Sequence, residues 1–302
     1  PISAMLSTTN PASGVIVAGQ ATADLAHITF SGNGVVNSVM LKRSGISDQN
    51  TLTNVYLYDG VTRLTDGYSF NSNGEITINN LNLAVGGSRT VSVKADVYAS
   101  APSGQTIAVS LVTFTAGTSV NTVSIMGNTM SIASGSTLAT VALSGSNTVS
   151  AASVNAGTSS YAVWRQAFQV NTRTLWLKSA NFRLTGSAPA DALQNVGLHV
   201  DGVKIGGNAA MTMTNGSNYL SFDMSSVPMQ LTTGSHTFEV RADIVKGSSY
   251  NVTVSLQQAS DIMVYDPQVG VNVAVSSFTA STAGTITIGT GSATVVIDPT
   301  FN

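Results

Sequence analysis

Cysteine is absent from this chain of 302 residues, and charge, glutamate and long apolar runs are scarce. The lack of cysteine excludes disulfide bonds, thiolate metal sites and cysteine nucleophiles. Charged residues make up 9% of the chain, against about 25% in a typical globular domain. The only glutamates are Glu75 and Glu239, and a surface so poor in Lys, Glu and Arg disfavours exposed helices.

The low charge also limits the partners. The formal net charge is −2, and no basic stripe is present to neutralise phosphates, so we expect neither nucleic acid nor an anionic membrane surface as a partner. No apolar run approaches the ~18–20 residues of a membrane helix, which predicts no transmembrane segment. The chain begins at Pro1 and shows no charged and apolar leader pattern, so we expect a mature or trimmed product whose export is inferred.

Alternation of apolar and Thr/Ser residues is the main pattern that is present. It is typical of strands with one face on a core, and turn signals such as SNG (72–74), PSG (102–104) and TTGS (232–235) separate the segments. Short strands with turns about every 8–12 residues predict a β-sandwich. The alternating segments are 90–95, 107–111, 285–288 and 294–297.

Five blocks recur in the same order in the two halves of the chain. Their spacing drifts slightly, as insertions in loops do, and five ordered matches indicate a duplicated domain. The pairs are SVMLKRSG (38–45) with SANFRLTG (179–186), LTNVYLYDG (52–60) with LQNVGLHVDG (193–202), TVSVKADV (90–97) with TFEVRADI (237–244), IAVSL (107–111) with VTVSL (252–256), and NTMSIASGS (128–136) with GTITIGTGS (284–292).

The duplication predicts an all-β chain of two tandem Ig-like β-sandwich domains, residues 1–141 and 142–302, joined by an extended link near 143–152. The stretch ATVALSGSNT (139–148) is matched in sequence by ATVVIDPTFN (293–302). Two explanations of that match stay open. Residues 293–302 are the first strand of a next repeat in a longer array, or they are a donor strand offered to a neighbouring subunit.

An Asp-Gly pair ends the second block of each half, at Asp59-Gly60 and Asp201-Gly202. Because Asp-Gly suits a two-residue turn with positive φ, we interpret both pairs as hairpin turns. The alternative is calcium: Asp59 and Asp66, with a nearby carbonyl, would form part of an oxygen cage.

A second repeated acid lies in KADV and RADI, at Asp96 and Asp243. An ion pair on one strand face, or a side-chain cap on the following loop, accounts for each. The alternative is a metal site shared with a loop carboxylate at Asp48 or Asp191, which fall in the same loop of each repeat. No other cofactor is expected.

A catalytic constellation is not evident. The histidines His27, His199 and His236 do not match one another between the repeats, no GxSxG elbow occurs, and nothing in the sequence brings the two glutamates together. Nucleophilic and carboxylate-pair chemistry both need such groupings. We therefore interpret the chain as a non-enzyme.

Two tryptophans bracket the segment WRQAFQVNTRTLW, Trp164 and Trp176. Packing in a core or between the domains is the favoured interpretation. The alternative is a platform on which a sugar ring stacks, which would require exposed rings.

The blocks ASGVIVAGQATADLAHITF, NVYLYDGVTRLTD, VSVKADVYASAPSGQTIAVSL and GTITIGTG resemble the tandem β-sandwich repeats of large surface proteins from uncultivated candidate-phylum bacteria, which are similar to surface-layer or adhesin-type proteins. The resemblance covers both halves. It implies an extracellular or cell-surface location and no catalytic residues.

These observations favour a structural subunit of a surface layer or filament that self-associates through sandwich packing and strand pairing. The alternative is a cell-surface adhesin or carbohydrate-binding module with a glycan partner. The residues predicted to take part in assembly are Pro1, Ile2, Met5, Leu6, Val295, Val296 and Ile297.

Overall fold

The computed structural model describes residues 1–291 and residue 300, and within these residues it contains strands and two short 3-10 helices but no α-helix. The first group of strands is β1 (Ile2–Leu6), β2 (Val15–Val17), β3 (Ala23–Ser44), β4 (Leu52–Asp59), β5 (Thr62–Arg63), β6 (Glu75–Ile78), β7 (Leu83–Val97), β8 (Thr106–Ala116), β9 (Ser119–Met126) and β10 (Met130–Ala133).

The second group follows directly along the chain. Its 3-10 helices are η1 (Ala190–Ala192) and η2 (Ala259–Asp261). Its strands are β11 (Thr140–Ser144), β12 (Ala152–Asn155), β13 (Thr158–Asn171), β14 (Leu175–Thr185), β15 (Leu193–Val200), β16 (Val203–Asn208), β17 (Ala210–Thr214), β18 (Ser217–Asp223), β19 (Met229–Leu231), β20 (Gly234–Ile244), β21 (Asn251–Leu256), β22 (Ile262–Asp266), β23 (Val271–Val273), β24 (Val275–Ser276), β25 (Ser281–Thr282) and β26 (Ile286–Gly289).

The strands β1–β10 form the first sandwich. They are hydrogen-bonded in the order β2-β10-β8-β3-β7-β4-β5, with β1 and β6 on β3 and β9 on β8. The first half of strand β3 pairs with β1 and β7, and its second half pairs with β6 and β8. Between these halves, Gly32 and Gly34 take φ of 120° and 149°. The two halves close on one core, in which Phe30 meets Phe114 edge to face with ring centroids 5.4 Å apart.

The strands β11–β26 form the second sandwich, in which two sheets face each other. One sheet has the order β16-β15-β20-β13-β11-β24, and the other has the path β12-β26-β21-β14-β18-β17 with β19, β22, β23 and β25 alongside. Trp164 on β13 lies 4.9 Å from Phe182 on β14, ring centroid to ring centroid, across the core. The single long strand β3 of the first sandwich corresponds here to two strands, β13 and β14, which residues 172–174 separate.

Each sandwich has a parallel ladder between an early strand and its last described strand. β2 pairs with β10, and β12 pairs with β26. The ladders occupy corresponding places in the two halves, and the other pairings of β12 and β26 with their neighbours are antiparallel where they occur. The repeated blocks therefore form the same kind of strand pairing in both sandwiches.

Alternating burial explains why these segments are strands. Along β7, Val91, Val93 and Ala95 are buried while Ser92 and Lys94 are partly exposed, as a period of two requires. The prediction of an all-β chain of tandem β-sandwiches is confirmed.

The link between the sandwiches differs from the expected one. Ala139 and Val141 are buried in the second core, and β11 pairs with β13, so the segment near 143–152 begins inside the second sandwich. The chain crosses between the cores after Ala133 and before Leu138, which packs against the second core. The apolar run ATVAL forms a strand because one of its faces finds a core.

No helix among the described residues has the length and hydrophobicity that crossing a bilayer requires.

Candidate functional site at the interface between the sandwiches

The repeated acids Asp96 and Asp243 hold the same kind of loop in both sandwiches. Asp96 accepts hydrogen bonds from the Thr22 amide at 2.9 Å and from Asn54 Nδ2 at 3.1 Å. Asp96 also accepts one from the Tyr56 hydroxyl at 2.8 Å.

In the second sandwich, Asp243 accepts from the Ser160 amide at 2.7 Å and from Asn195 Nδ2 at 2.8 Å. Thr22 and Ser160 have φ of 45° and 50°, a strained conformation for these residues that a hydrogen bond to the amide helps to hold. These bonds lower the pKa of Asp243. The duplicated acid is a loop cap in each sandwich.

The Asp-Gly pairs form hairpins with different turns. Asp201 and Gly202, with φ of 51° and 81°, are the two turn residues between β15 and β16, as predicted. In the first sandwich, Asp59 pairs with Thr62, so the turn residues are Gly60 and Val61, one position later than expected. Only Gly60, with φ of 57°, has positive φ there, which removes the need for Asp in the turn.

Each of these aspartates meets a basic side chain on a neighbouring strand of its sandwich, β7 beside β4 and β20 beside β15. Asp59 accepts from Arg89 Nε at 2.9 Å, and Asp201 lies 2.7 Å from His236 Nδ1. Arg89 and His236 immediately precede the matched blocks TVSV and TFEV, so the contact between a turn aspartate and a basic side chain is duplicated although the residue type is not.

The remaining acids that sequence patterns singled out are placed apart. Asp48 accepts from the Asn50 amide at 2.7 Å within its own loop. Asp66 lies on Arg63 at 3.3 Å, and Asp191 contacts Lys246. Among the described residues, no three His, Asp or Glu side chains gather where they would hold a metal ion, and calcium stays a prediction.

The two tryptophans have different surroundings. Trp164 is fully buried, and its Nε1 donates to the Ser281 carbonyl at 3.2 Å, so its ring offers no face on which a sugar could stack. Trp176 is partly exposed and lies 5.8 Å from the ring of Tyr265, centroid to centroid. Lys178 Nζ lies 3.6 Å from the centroid of the same tyrosine ring.

The predicted assembly residues lie at both ends of the chain. Ile2 is buried in the first core, whereas Pro1, Met5 and Leu6 are exposed. Strand β1 pairs with β3 along one edge, from Ile2 opposite Gly32 onward. No pairing with its other edge occurs in the described part of the chain. Val295, Val296 and Ile297 lie outside the described residues.

The histidines act as local anchors in this fold. His27 lies 2.8 Å from Asp24 and 2.9 Å from Thr9 Oγ1, which ties the loop after β1 to β3. His236 lies 2.6 Å from the Thr232 carbonyl in addition to its aspartate. Burial lowers the pKa of His199.

A buried ion pair joins the two sandwiches. Arg63 on β5 donates from Nε and Nη2 to the two carboxylate oxygens of Asp261 in η2, at 3.1 and 3.2 Å. The side chains are 6% and 1% exposed. Burial alone would lower the pKa of Arg63, but the carboxylate of Asp261 raises it above its ordinary value. Burial raises the pKa of the Asp261 carboxyl and so opposes its charged form, whereas the two hydrogen bonds from the guanidinium favour that form. The bidentate contact is that of a desolvated, charge-assisted pair.

Polar contacts on both sides of this pair complete the interface. The Tyr58 hydroxyl donates to the Ser260 carbonyl at 3.1 Å, and Asn181 Nδ2 donates to the Val61 carbonyl at 3.0 Å. Closer to the link, the Ala21 amide donates to the Asn272 carbonyl at 2.9 Å. The β4–β5 hairpin of the first sandwich is thus seated on η2 and β14 of the second.

Sequence reasoning missed Arg63 and Asp261. Arg63 occupies a hairpin position paired with Tyr58, as Lys204 pairs with His199 in the second hairpin. Asp261 lies after the block VTVSL, in a segment that has no match in the first half. The only available signal was an acid in an unmatched loop, which does not identify its partner.

The comparisons with known proteins give one match to a family model. Residues 30–108 match the model described as heme-binding protein Shr-like, Hb-interacting domain, which covers part of the first sandwich. A comparison with curated proteins gave no match.

Solved structures give distant similarities. The C-terminal domain of the AgI/II polypeptide BspA of Streptococcus agalactiae is 9% identical, covers 94% of this chain and 100% of its own, and has a TM-score of 0.21. BcpA, the major pilin subunit of Bacillus cereus, is 8% identical, covers 95% of this chain and 69% of its own, and has a TM-score of 0.20. The N-terminal Ig1-2 module of the Drosophila receptor protein tyrosine phosphatase DLAR is 10% identical, covers 97% of this chain and 100% of its own, and has a TM-score of 0.21. At TM-scores this low, the similarity says nothing about function.

Proposed function

We propose that this chain is a structural, non-enzymatic module of an extracellular surface layer or filament, in which the two sandwiches act as one rigid unit. The observation that carries the proposal is the buried Arg63–Asp261 pair. A desolvated, bidentate ion pair fixes geometry because neither group can leave its partner without an uncompensated buried charge. A flexible connection between domains would not need such a pair.

Rigidity is tested by small-angle X-ray scattering of the full chain and of Arg63→Ala. The wild type should fit a single arrangement of the sandwiches, whereas Arg63→Ala should require a broader distribution of interdomain distances. Lys204→Ala, at the corresponding hairpin position of the second sandwich, is the matched control and should scatter like the wild type. A broad distribution for the wild type would contradict a rigid unit.

Self-association is the second part of the proposal. The outer edge of β1 supports it, because an edge with unpaired backbone groups is a template for an added strand. In the second sandwich, the corresponding strand β11 is paired on both edges, with β13 and with β24. Residues 293–302, which match the sequence of β11 and the segment after it, are the proposed added strand.

Deletion of residues 293–302 tests this assembly. Ile286 and Ile288 at the end of β26 are buried in the second core, and we expect the chain without residues 293–302 to fold. Electron microscopy and light scattering should then show monomers where the full chain forms polymers. Assembly that is unchanged by the deletion removes residues 293–302 from the mechanism.

A second candidate function is a binding module for a protein partner. The observation that favours it is the match of residues 30–108 to a domain described as Hb-interacting. Surface plasmon resonance of the full chain with hemoglobin as the probe tests this candidate. A missing response at high hemoglobin concentration would exclude hemoglobin as the partner.

A further inference from the structure

A polar cleft lies between the two sandwiches beside the Arg63–Asp261 pair. It encloses about 340 Å³, within the range of small-ligand sites. We call it the interdomain cleft. The lining residues that matter here are Asp66 of the first sandwich and Arg183, Thr214, Asn215, Tyr219 and Gln257 of the second.

Arg183 is the feature of this cleft that the fold does not explain. Its guanidinium forms no hydrogen bond or ion pair with any residue that the structure describes, and its Nε is buried without a partner. The buried Thr214 Oγ1 is likewise unpartnered among those residues. Buried polar groups usually have a hydrogen-bond partner, so the cation of Arg183 on this cleft is a candidate for pairing with a bound group.

The duplication shows what Arg183 lacks. Its counterpart in the first sandwich is Lys42, which is paired across β3 and β6 with Glu75, Nζ to Oε1 3.6 Å. Arg183 is paired in the same way across β14 and β18, but the residue opposite it is Tyr219. The second sandwich therefore has a cation at the matched position, Arg183, but an aromatic ring opposite it in place of the carboxylate. Both residues line the interdomain cleft.

We propose that the interdomain cleft binds an acidic saccharide, whose carboxylate pairs with Arg183 in the place that Glu75 fills in the first sandwich. A guanidinium is suited to a carboxylate. The amides of Asn215 and Gln257 match sugar hydroxyl groups in hydrogen-bonding capacity. Tyr219 supplies an aromatic surface for the apolar side of a sugar ring.

The other lining groups favour a saccharide over a phosphate. Asp66 is 80% exposed on its side chain and already contacts Arg63. Its carboxylate would repel a doubly charged phosphate more strongly than a singly charged carboxylate, and it accepts hydrogen bonds from hydroxyl groups. The expected charge of the bound group is thus a single negative one.

Saturation-transfer NMR and titration calorimetry of the full chain test the proposal with glucuronate and N-acetylneuraminate as acidic probes. Glucose and acetate separate the ring from the carboxylate. We expect at least one acidic sugar to bind, and both glucose and acetate to bind at least about tenfold more weakly. Absence of binding by both acidic sugars overturns the proposal, and equal binding of glucose overturns the role of the carboxylate.

Two variants locate the binding. Arg183→Gln should lose about tenfold or more in affinity. Tyr219→Glu should lose as much while keeping the thermal unfolding midpoint, because it rebuilds inside the second sandwich the pair that Lys42 and Glu75 form in the first. Lys42→Gln is the matched control and should bind like the wild type. Unchanged affinity in a folded Arg183→Gln protein would overturn the assignment even if Tyr219→Glu fails to fold.

Discussion

The first and second sandwiches hold the same loops with the same acids but place different side chains on their hairpins. The caps made by Asp96 and Asp243 are duplicated almost bond for bond. The hairpin pair Tyr58 and Arg63 of the first sandwich is buried against the second. At the corresponding place in the second hairpin, His199 is half-buried and Lys204 is exposed.

The loop caps are the same in both copies, whereas the hairpin side chains differ between them. A loop with a strained residue is less stable in either copy without its cap, and the Asp–Asn–amide arrangement is present in both. The face of a hairpin contains no strained residue that needs a cap, so its residue types depend on the surface that packs against it. The interface and the cleft are accordingly made by residues that differ between the copies.

The largest expected effect concerns two phenylalanines at matched positions, Phe30 and Phe168, each fully buried. Among the described residues, Phe30 has one ring neighbour, whereas Phe168 stacks on Phe238 with ring centroids 4.2 Å apart and also lies near Trp164. We expect either change to alanine to cost about 3–5 kcal/mol of the free energy of unfolding, with Phe168→Ala the more costly. Urea titration of both variants measures the difference, and a larger loss for Phe30→Ala would mean that ring contacts do not set the order.

Breaking the ion pair at the interface is expected to be nearly as costly. Arg63→Ala leaves the Asp261 carboxylate buried without its partner, which predicts a loss of about 3–5 kcal/mol. The double variant Arg63→Met with Asp261→Leu removes both charges and should recover most of that loss. Lys204→Ala should change stability by less than about 0.5 kcal/mol. Equal effects of Arg63→Ala and Lys204→Ala, measured by urea unfolding, would contradict the asymmetry between the hairpins.

The loop caps give a smaller effect. Asp96→Ala removes an acceptor shared by three donors and should cost about 1–3 kcal/mol. Asp243→Ala removes an acceptor of two donors at a solvent-exposed site and should cost less. Hydrogen exchange of the Thr22 and Ser160 amides reports each cap directly. Faster exchange in only one of the two variants would show that the duplicated caps do not have the same role.

The smallest effect depends on pH and on the residue paired with the turn aspartate. Burial alone would lower the pKa of His236, but its hydrogen bonds to Asp201 and the Thr232 carbonyl raise it. A raised pKa means that the contribution is complete below about pH 6.5, the ordinary value for histidine, and is lost as the pH rises through the folded-state pKa. Because Asp201 is half exposed, we expect less than about 1 kcal/mol.

An exchange of residue types tests this pH dependence. The variant His236→Arg should remove it from the second sandwich, and Arg89→His should introduce it into the first. The readout is hydrogen exchange of the Thr237 amide, which donates to Asp201 at 2.8 Å, measured from pH 5.5 to 8 and corrected for intrinsic exchange. A flat profile in the wild type would show that the pair does not stabilise the hairpin.

Sequence patterns predicted the fold well because they depend on local chemistry. Alternation along 90–95 decides which face of β7 is buried, and the ordered blocks indicate the duplication. The link was misplaced because the run 139–143 is apolar enough to be a strand of either domain, and only packing decides which. The turn at Asp59 was shifted by one residue because Gly60 alone meets the conformational requirement.

The interface and the cleft were beyond the sequence for a different reason. Arg63 and Asp261 are almost 200 positions apart, and the distance between them is set by how two sandwiches dock. Arg183 lies in a matched block, but its missing acid becomes visible only when the register places Tyr219 opposite it. Matching the residues of the two copies does not reveal this difference. Comparing the cross-strand partner of Arg183 with that of Lys42 does reveal it.

The parallel ladders have a mechanical consequence. When the chain is pulled from its two ends, β1 or β11 must detach before tension reaches β2 or β12. Strand β2 lies parallel to β10, and β12 lies parallel to β26. The start of one strand and the end of its partner therefore lie at opposite ends of each ladder, and the two pulling forces act in opposite directions along it. The hydrogen bonds are then sheared together and are not unzipped one at a time, and each sandwich resists stretching with its whole terminal ladder.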